Sequence, residues 1–294
     1  MVETDEGIQL RRRLGHARRK VRRSRKKAQR VIRGAIGELT SDLRLRPEFI
    51  IFGAMKGGTT ALFSYLDRHP DFALARKEIH YFDRHYQLGH RWYFGHFPVR
   101  ALAGDAVTGE ASPYYLFHPP APARVRELLP DVRLIAILRD PVDRTLSHYH
   151  HKLAAGVEHV PFEEAITAES ERLRGQDGWG DGAQTLSRRH FSYLARGRYA
   201  EQLEHWFGVF PREQFLILSS ADLSSSPAAV VAEVCRFVGV EPREFGEYPR
   251  RHERRYPPMS PETREQLARY FEEPNRRLYE LLGRDFGWSR PGTS

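Results

Sequence analysis

The stretch FIIFGAMKGGTTALFSYLDRHP, running from Phe49 to Pro70, restricts the possible folds more than any other part of the chain. Apolar, β-branched Ile50 and Ile51 between Phe49 and Phe52 read as a buried strand, and Ala61, Leu62, Tyr65 and Leu66 then recur at helical spacing. Residues 53–60 are therefore a strand-to-helix turn. Gly57 and Gly58 let backbone N–H groups come close to a ligand, and Thr59 and Thr60 put hydroxyls at the helix start. A turn of this kind is an anion cradle. Lys56 precedes the glycine pair instead of following the last glycine, so the loop is not a Walker A motif and an ordinary nucleotide triphosphatase is disfavoured.

Beyond this turn, residues 48–290 alternate short apolar runs with helical patterns. DAVTGEASPYYLF (105–117) holds a strand ending near Glu110 and a turn at Ser112-Pro113. In the segment 120–153 the run VRLIAIL is a strand, and Pro141 marks the first turn of the next helix. EQFLILSSADL supplies another strand, followed by a helix from Pro227 to Val238. Strands alternating with helices imply an α/β fold with a central parallel sheet flanked by helices on both faces. In such sheets ligands sit at the carboxyl ends of strands, and the turns after Phe52 and Leu138 both lie there. The Gly-, Asp- and Gln-rich segment 172–187 reads as a mobile surface loop.

Thirteen Lys or Arg residues and no acid fall between Arg11 and Arg33, which leaves residues 34–294 with 34 basic and 35 acidic side chains. The formal charge of +9 therefore belongs to an amino-terminal tail and does not point to a specific nucleic-acid partner. Residues 1–46 are expected to be a disordered or helical tail, and residues 47–290 the folded domain. The tail suits an anionic membrane surface or another polyanion. It has too few apolar residues for a signal peptide, and no apolar run approaches the ~18 residues of a membrane span. The single cysteine, Cys235, sits in the helical pattern AAVVAEVCRFVGV, so no internal disulfide is possible. A reducing, cytoplasmic location, peripheral at the inner face of the membrane, is expected.

In ILRDPVDRTLSHY, Arg139 follows the buried strand directly and Ser147 comes two helical turns later. With Lys56 they offer separated groups for two anionic ends of one ligand. The competing reading pairs Arg139 with Asp140 or Asp143 and makes Ser147 incidental. His148 and His151 would share a helix face, but no acidic or cysteine partner is spaced to complete a metal site, and none is expected.

Together these stretches resemble the PAPS-dependent sulfotransferases, which transfer a sulfuryl group from 3′-phosphoadenosine 5′-phosphosulfate. GAMKGGTTAL is similar to that family's 5′-phosphosulfate loop and LRDPVDRTLSHY to its 3′-phosphate motif. KEIHYFD (77–83), GEASPYY (109–115), GRYAEQLEHWF (197–207) and YFEEPNRRLYELLGRDFGW (270–288) resemble the branch containing heparan sulfate sulfotransferases and their bacterial relatives. The resemblance implies a P-loop-like three-layer fold and PAPS as co-substrate, with no metal. It implies that Lys56, Gly57, Gly58, Thr59 and Thr60 hold the 5′-phosphosulfate and that Arg139 and Ser147 hold the 3′-phosphate.

The resemblance places Glu78 where the heparan sulfate O-sulfotransferases carry a catalytic base, with His80 two residues on; in a strand the two would point to one face. A carboxylate there has independent chemical sense, because an acceptor hydroxyl is a poor nucleophile until its proton is taken. HERRYPP (252–258) corresponds to the family's late cofactor loop, although it lacks glycine, and would bring Arg254 and Arg255 over the cofactor phosphates. Ala111 stands where the 3-O-sulfotransferases have lysine, a departure that bears on an acidic acceptor. The implied reaction is sulfation of a carbohydrate, lipid or natural-product hydroxyl. The rival readings are a small-molecule kinase of related fold and a non-catalytic adaptor for polyanions or a membrane surface.

Overall fold

The computed structural model of the protein describes residues 34–175, 186–243, 246–249 and 256–288. Most of the basic tail, residues 176–185 of the glycine-rich segment, and Arg254 and Arg255 lie outside the described residues.

Four strands, β1 (Phe49–Gly53), β2 (Gly109–Ala111), β3 (Arg133–Leu138) and β4 (Phe215–Ser219), pair in the order β2-β1-β3-β4, all parallel. Ile50 lies opposite both Glu110 and Leu134, and Ile137 opposite Leu218. The main helices are α1 (Thr59–Leu66), α2 (Ala121–Leu128), α3 (Pro141–Ala154), α4 (Tyr199–Phe207), α5 (Pro227–Val238) and α6 (Pro261–Leu282).

The two-residue period of a strand sorts the core into halves. Ile50, Phe52, Leu134, Ala136 and Leu138 pack on one face against Val125 of α2, Leu203 and Trp206 of α4 and Leu278 of α6. Phe49, Ile51, Ile135 and Ile137 pack on the other, against Leu62 and Leu66 of α1 and Val231 and Val234 of α5. Both faces are covered, which is why β1 and β3 are nearly continuous apolar runs and all five residues of β1 are buried. A third apolar cluster holds Val142, Leu146 and Tyr149 of α3 against Phe162, Tyr193 and Phe271. Ahead of β1 the chain is already docked: Leu45 N–H donates to the Pro98 carbonyl at 2.9 Å, and Arg44 Nη1 to the Phe97 carbonyl at 2.5 Å.

From β1 the chain moves to one side to form β2 and then crosses back to the other side to form β3. The crevice between the carboxyl ends of β1 and β3 is therefore the place where strand order reverses and ligands bind in sheets of this type.

Residues 77–80 do not form a strand. Glu78 (φ 61°) and His80 (φ 57°) are both left-handed, and Glu78 N–H donates to the Ala111 carbonyl at 2.8 Å. The segment thus turns over the end of β2 instead of extending beside it.

Candidate active site

The turn from β1 into α1 is shaped by its neighbours as much as by its own residues. A Cβ on Gly57 would lie 2.1 Å from the Ile137 carbonyl oxygen, so only glycine lets the loop lie against β3. The Gly57 N–H is taken up by the Ala54 carbonyl at 2.9 Å, so it does not face a ligand as the sequence suggested. Gly58 adopts φ 115° at the N-cap, a conformation that favours glycine. The N–H groups of Gly58, Thr59 and Thr60 open α1 without backbone acceptors among the described residues. With Lys56 these residues line a cavity of about 1140 Å³, whose wall also includes Glu78, His80, Arg139 and Ser147. Of the described residues expected at the site, Gly57 alone is absent from that wall.

The second group of expected site residues lies at the end of β3. Asp140 caps α3 by accepting from Val142 N–H at 2.8 Å, and Asp143 pairs with Arg264 at 2.8 Å. Both acids have work apart from Arg139, which reaches the cavity beside them. The Tyr199 hydroxyl donates to the Arg139 carbonyl at 2.9 Å and fixes the backbone there; burial pushes this phenol up to about 12. Ser147 Oγ lies 2.8 Å from the Tyr256 hydroxyl, and the Tyr256 ring stacks on His150 at 4.5 Å and 4°. Tyr256 was not foreseen, because 109 residues separate it from Ser147.

His148 and His151 do not share surroundings. His148 is buried against the Tyr193 ring, 4.8 Å away, and burial together with Arg196 and Arg144 drives its pKa well below the ordinary imidazole value. His151 lies on the cavity wall.

The turn at residues 77–80 gathers several ionisable side chains. Lys77 Nζ donates to Thr60 Oγ1 and lies 3.3 Å from Glu78 Oε1, which ties the start of α1 to the Glu78 carboxylate. His80 Nδ1 is 3.0 Å from Asp83 Oδ2; since a carboxylate only accepts, the proton on this side of the ring is on Nδ1. Nε2 then faces Glu78 Oε2 at 3.9 Å. Glu78 is half exposed, so an incoming hydroxyl can reach it, whereas Asp83 is buried.

A buried carboxylate holds this turn from below. Glu110 accepts from Tyr93 (3.0 Å), Tyr115 (3.1 Å) and Ser112 (2.7 Å). The same hydroxyls take the backbone N–H groups above them: His80 N–H donates to Ser112 Oγ at 3.1 Å and Tyr81 N–H to Tyr115 Oη at 2.8 Å. Burial raises the Glu110 pKa to about 7, against the lowering effect of its three donors. Its only sequence signal was its place at the carboxyl end of β2 in GEASPYY.

The family model described as a sulfotransferase domain matches residues 46–273. A membrane-associated sulfotransferase of Dictyostelium discoideum is 31% identical over 82% of this chain and 66% of its own length. Heparan sulfate glucosamine 3-O-sulfotransferase 3B1 of Mus musculus is 32% identical over 82% of this chain and 65% of its own. The chain spans just under two thirds of the length of these relatives. The crystal structure of a sulfotransferase from Alicyclobacillus acidocaldarius matches with a TM-score of 0.68 and 31% identity, over 82% of this chain and 98% of that one.

Proposed function

Because the chain belongs to the sulfotransferase family, we propose that it moves a sulfuryl group from PAPS, the donor used by that family, to an acceptor hydroxyl. The observation that carries this reading is the pair of anion-binding places at the carboxyl ends of adjacent strands β1 and β3, opening on the cavity that also holds Glu78.

The residues fit a donor with two anionic ends. Lys56 and the free N–H groups of Gly58, Thr59 and Thr60 bind the 5′-phosphosulfate. Arg139 and Ser147, with the Tyr256 hydroxyl beside it, bind the 3′-phosphate. Arg254 and Arg255, which lie outside the described residues, are assigned to the same phosphates on the sequence resemblance alone. Glu78, held by Lys77 and flanked by His80, removes the acceptor's proton. The acceptor oxygen forms a bond to sulfur while the bond from sulfur to the bridging phosphate oxygen breaks. Lys56 and the loop N–H groups meet the charge left on the phosphate, and the products are a sulfate ester and adenosine 3′,5′-bisphosphate.

The acceptor is a carbohydrate, lipid or natural-product hydroxyl. The catalytic domain takes in residues 47–290 together with the docked Arg44 and Leu45 ahead of them, and the basic tail brings it to an anionic membrane surface on the cytoplasmic side. No helix among the described residues is long and apolar enough to cross a membrane.

Calorimetric titration with adenosine 3′,5′-bisphosphate tests the donor site. Lys56→Ala and Arg139→Ala each remove a charged contact worth ~1.5–3 kcal/mol, so each should weaken binding roughly 10- to 150-fold. Adenosine 5′-phosphate should bind the wild type more weakly than the bisphosphate. Unchanged affinity in both variants refutes the assignment.

A further inference from the structure

A surface helix ordinarily turns its apolar stripe toward the core, but the helix at residues 34–39 does the reverse. It docks through its smallest residue: Gly37 is buried, and a Cβ there would lie 2.5 Å from the Gly95 carbonyl oxygen. A Cβ on Gly95 would in turn lie 2.6 Å from the Gly37 carbonyl carbon, so the two backbones meet with no side chain between them. Ile36 (51% exposed), Leu39 (79%) and, just after the helix, Leu43 (63%) are left outside. Leu102, 88% exposed, joins them: Arg44 pairs with Val99 in an antiparallel bridge, and the Val99 carbonyl accepts from Leu102 N–H at 3.0 Å. Of the seven large apolar side chains exposed among the described residues, these four sit on the two segments that the bridge joins, so they form a patch and are not scattered.

The charges around the patch are mixed. Asp42 pairs with Arg91 at 3.2 Å and Arg46 at 3.9 Å, Arg100 is exposed two residues before Leu102, and Glu38 and Asp105 are exposed as well. A preference for one sign of partner must therefore come from elsewhere in the chain. Its source is the tail, whose thirteen Lys or Arg residues end at Arg33, one residue before the helix begins. A run of cations joined directly to exposed leucines suits a surface that is anionic outside and apolar just beneath, which is a bilayer of anionic lipid. A second copy of this chain fits less well, because a twofold contact through the patch would bring two such tails to one place.

We propose that Ile36, Leu39, Leu43 and Leu102 enter the headgroup region of an anionic membrane that the basic tail draws close, so that the patch fixes how the domain sits on the lipid. This inference rests on the reading of the tail as a membrane-binding segment. Four partly inserted side chains are too few to hold the protein without the charges, so the two signals act together. Residues 44–48 lead from the patch into the amino end of β1, whereas the Lys56 loop follows its carboxyl end, so lipid at the patch leaves the donor site free.

The test uses the full chain and vesicles of phosphatidylserine and phosphatidylcholine at low salt. Leu39→Gln, Leu43→Gln and Leu102→Gln combined remove apolar surface while keeping the charge and the helix propensity. The triple variant should bind the vesicles roughly 10-fold or more weakly, with its melting temperature unchanged and its bisphosphate affinity within about twofold of wild type. An environment-sensitive dye on Leu39→Cys reports insertion directly, since Cys235 is buried; its emission should shift to the blue on vesicle binding. Wild-type vesicle affinity in the triple variant, or a bound protein whose dye stays in water, overturns the patch and leaves the tail reading standing. A wild type that does not bind these vesicles at all refutes the tail reading and the patch with it. A wild-type dimer that dissociates in the triple variant, with vesicle binding unchanged, overturns the proposal by assigning the patch to a second copy.

Discussion

Replacing Glu110 by Gln tests whether a buried carboxylate sets the pH dependence of folding. Glu110 is fully buried and its folded pKa is about 7, against an ordinary value of 4.5. Because the folded value is raised, the folded state binds more protons than the unfolded state between these limits. Glu110 therefore contributes full stability below about pH 4.5 and loses it progressively as the pH rises through 7. At ~1.4 kcal/mol per pH unit, the interval corresponds to ~3 kcal/mol of pH-dependent stability.

Glutamine has no titration, and its amide nitrogen cannot accept from Ser112, so the variant should be less stable than wild type at low pH. The diagnostic quantity is the slope. Urea unfolding at a series of pH values from 4 to 8 should give a wild-type stability that falls by about 3 kcal/mol more over this range than that of Glu110→Gln. Parallel pH profiles for the two proteins would refute the reasoning.

Gly57→Ala should destabilise the fold by ~1–3 kcal/mol and weaken bisphosphate binding at least ~10-fold, since the new methyl meets the Ile137 carbonyl and must push the loop off β3; thermal melts and calorimetry check this, and a wild-type melting temperature contradicts it. The basic tail should bind anionic vesicles in a sedimentation assay and release them as salt rises, while a chain beginning at residue 35 stays in solution; binding that survives high salt counts against an electrostatic tail.

Much of the fold was legible because it is written in local punctuation. The helix from Pro227 to Val238 stands between Pro227 and Gly239, the latter left-handed at φ 80°, and its limits agree with those read from sequence. The strand–loop–helix at Phe49–Leu66 was visible for the same reason: its apolar period changes from strand to helix across a glycine pair. The Glu78 turn was not visible. Its two left-handed residues are held by Ala111, Ser112 and Tyr115, roughly thirty residues away, and no local pattern announces those partners. Gly57 was identified as special for the wrong reason, because the group it must avoid, the Ile137 carbonyl, belongs to another strand. The contacts of Lys77 with Thr60 and of Tyr256 with Ser147 likewise span 17 and 109 residues of chain.

Incubation of the protein with radiolabelled PAPS and an extract of cells lacking it tests sulfuryl transfer most directly, read by mass spectrometry and by label incorporation. The wild type should produce a labelled species heavier by one sulfuryl group. Glu78→Gln, which keeps the side chain's shape but cannot take a proton, should produce it ~10²–10⁴-fold more slowly with bisphosphate affinity unchanged within about twofold. A wild type that binds the bisphosphate yet transfers no label, or a Glu78→Gln variant that transfers it at the wild-type rate, contradicts this mechanism.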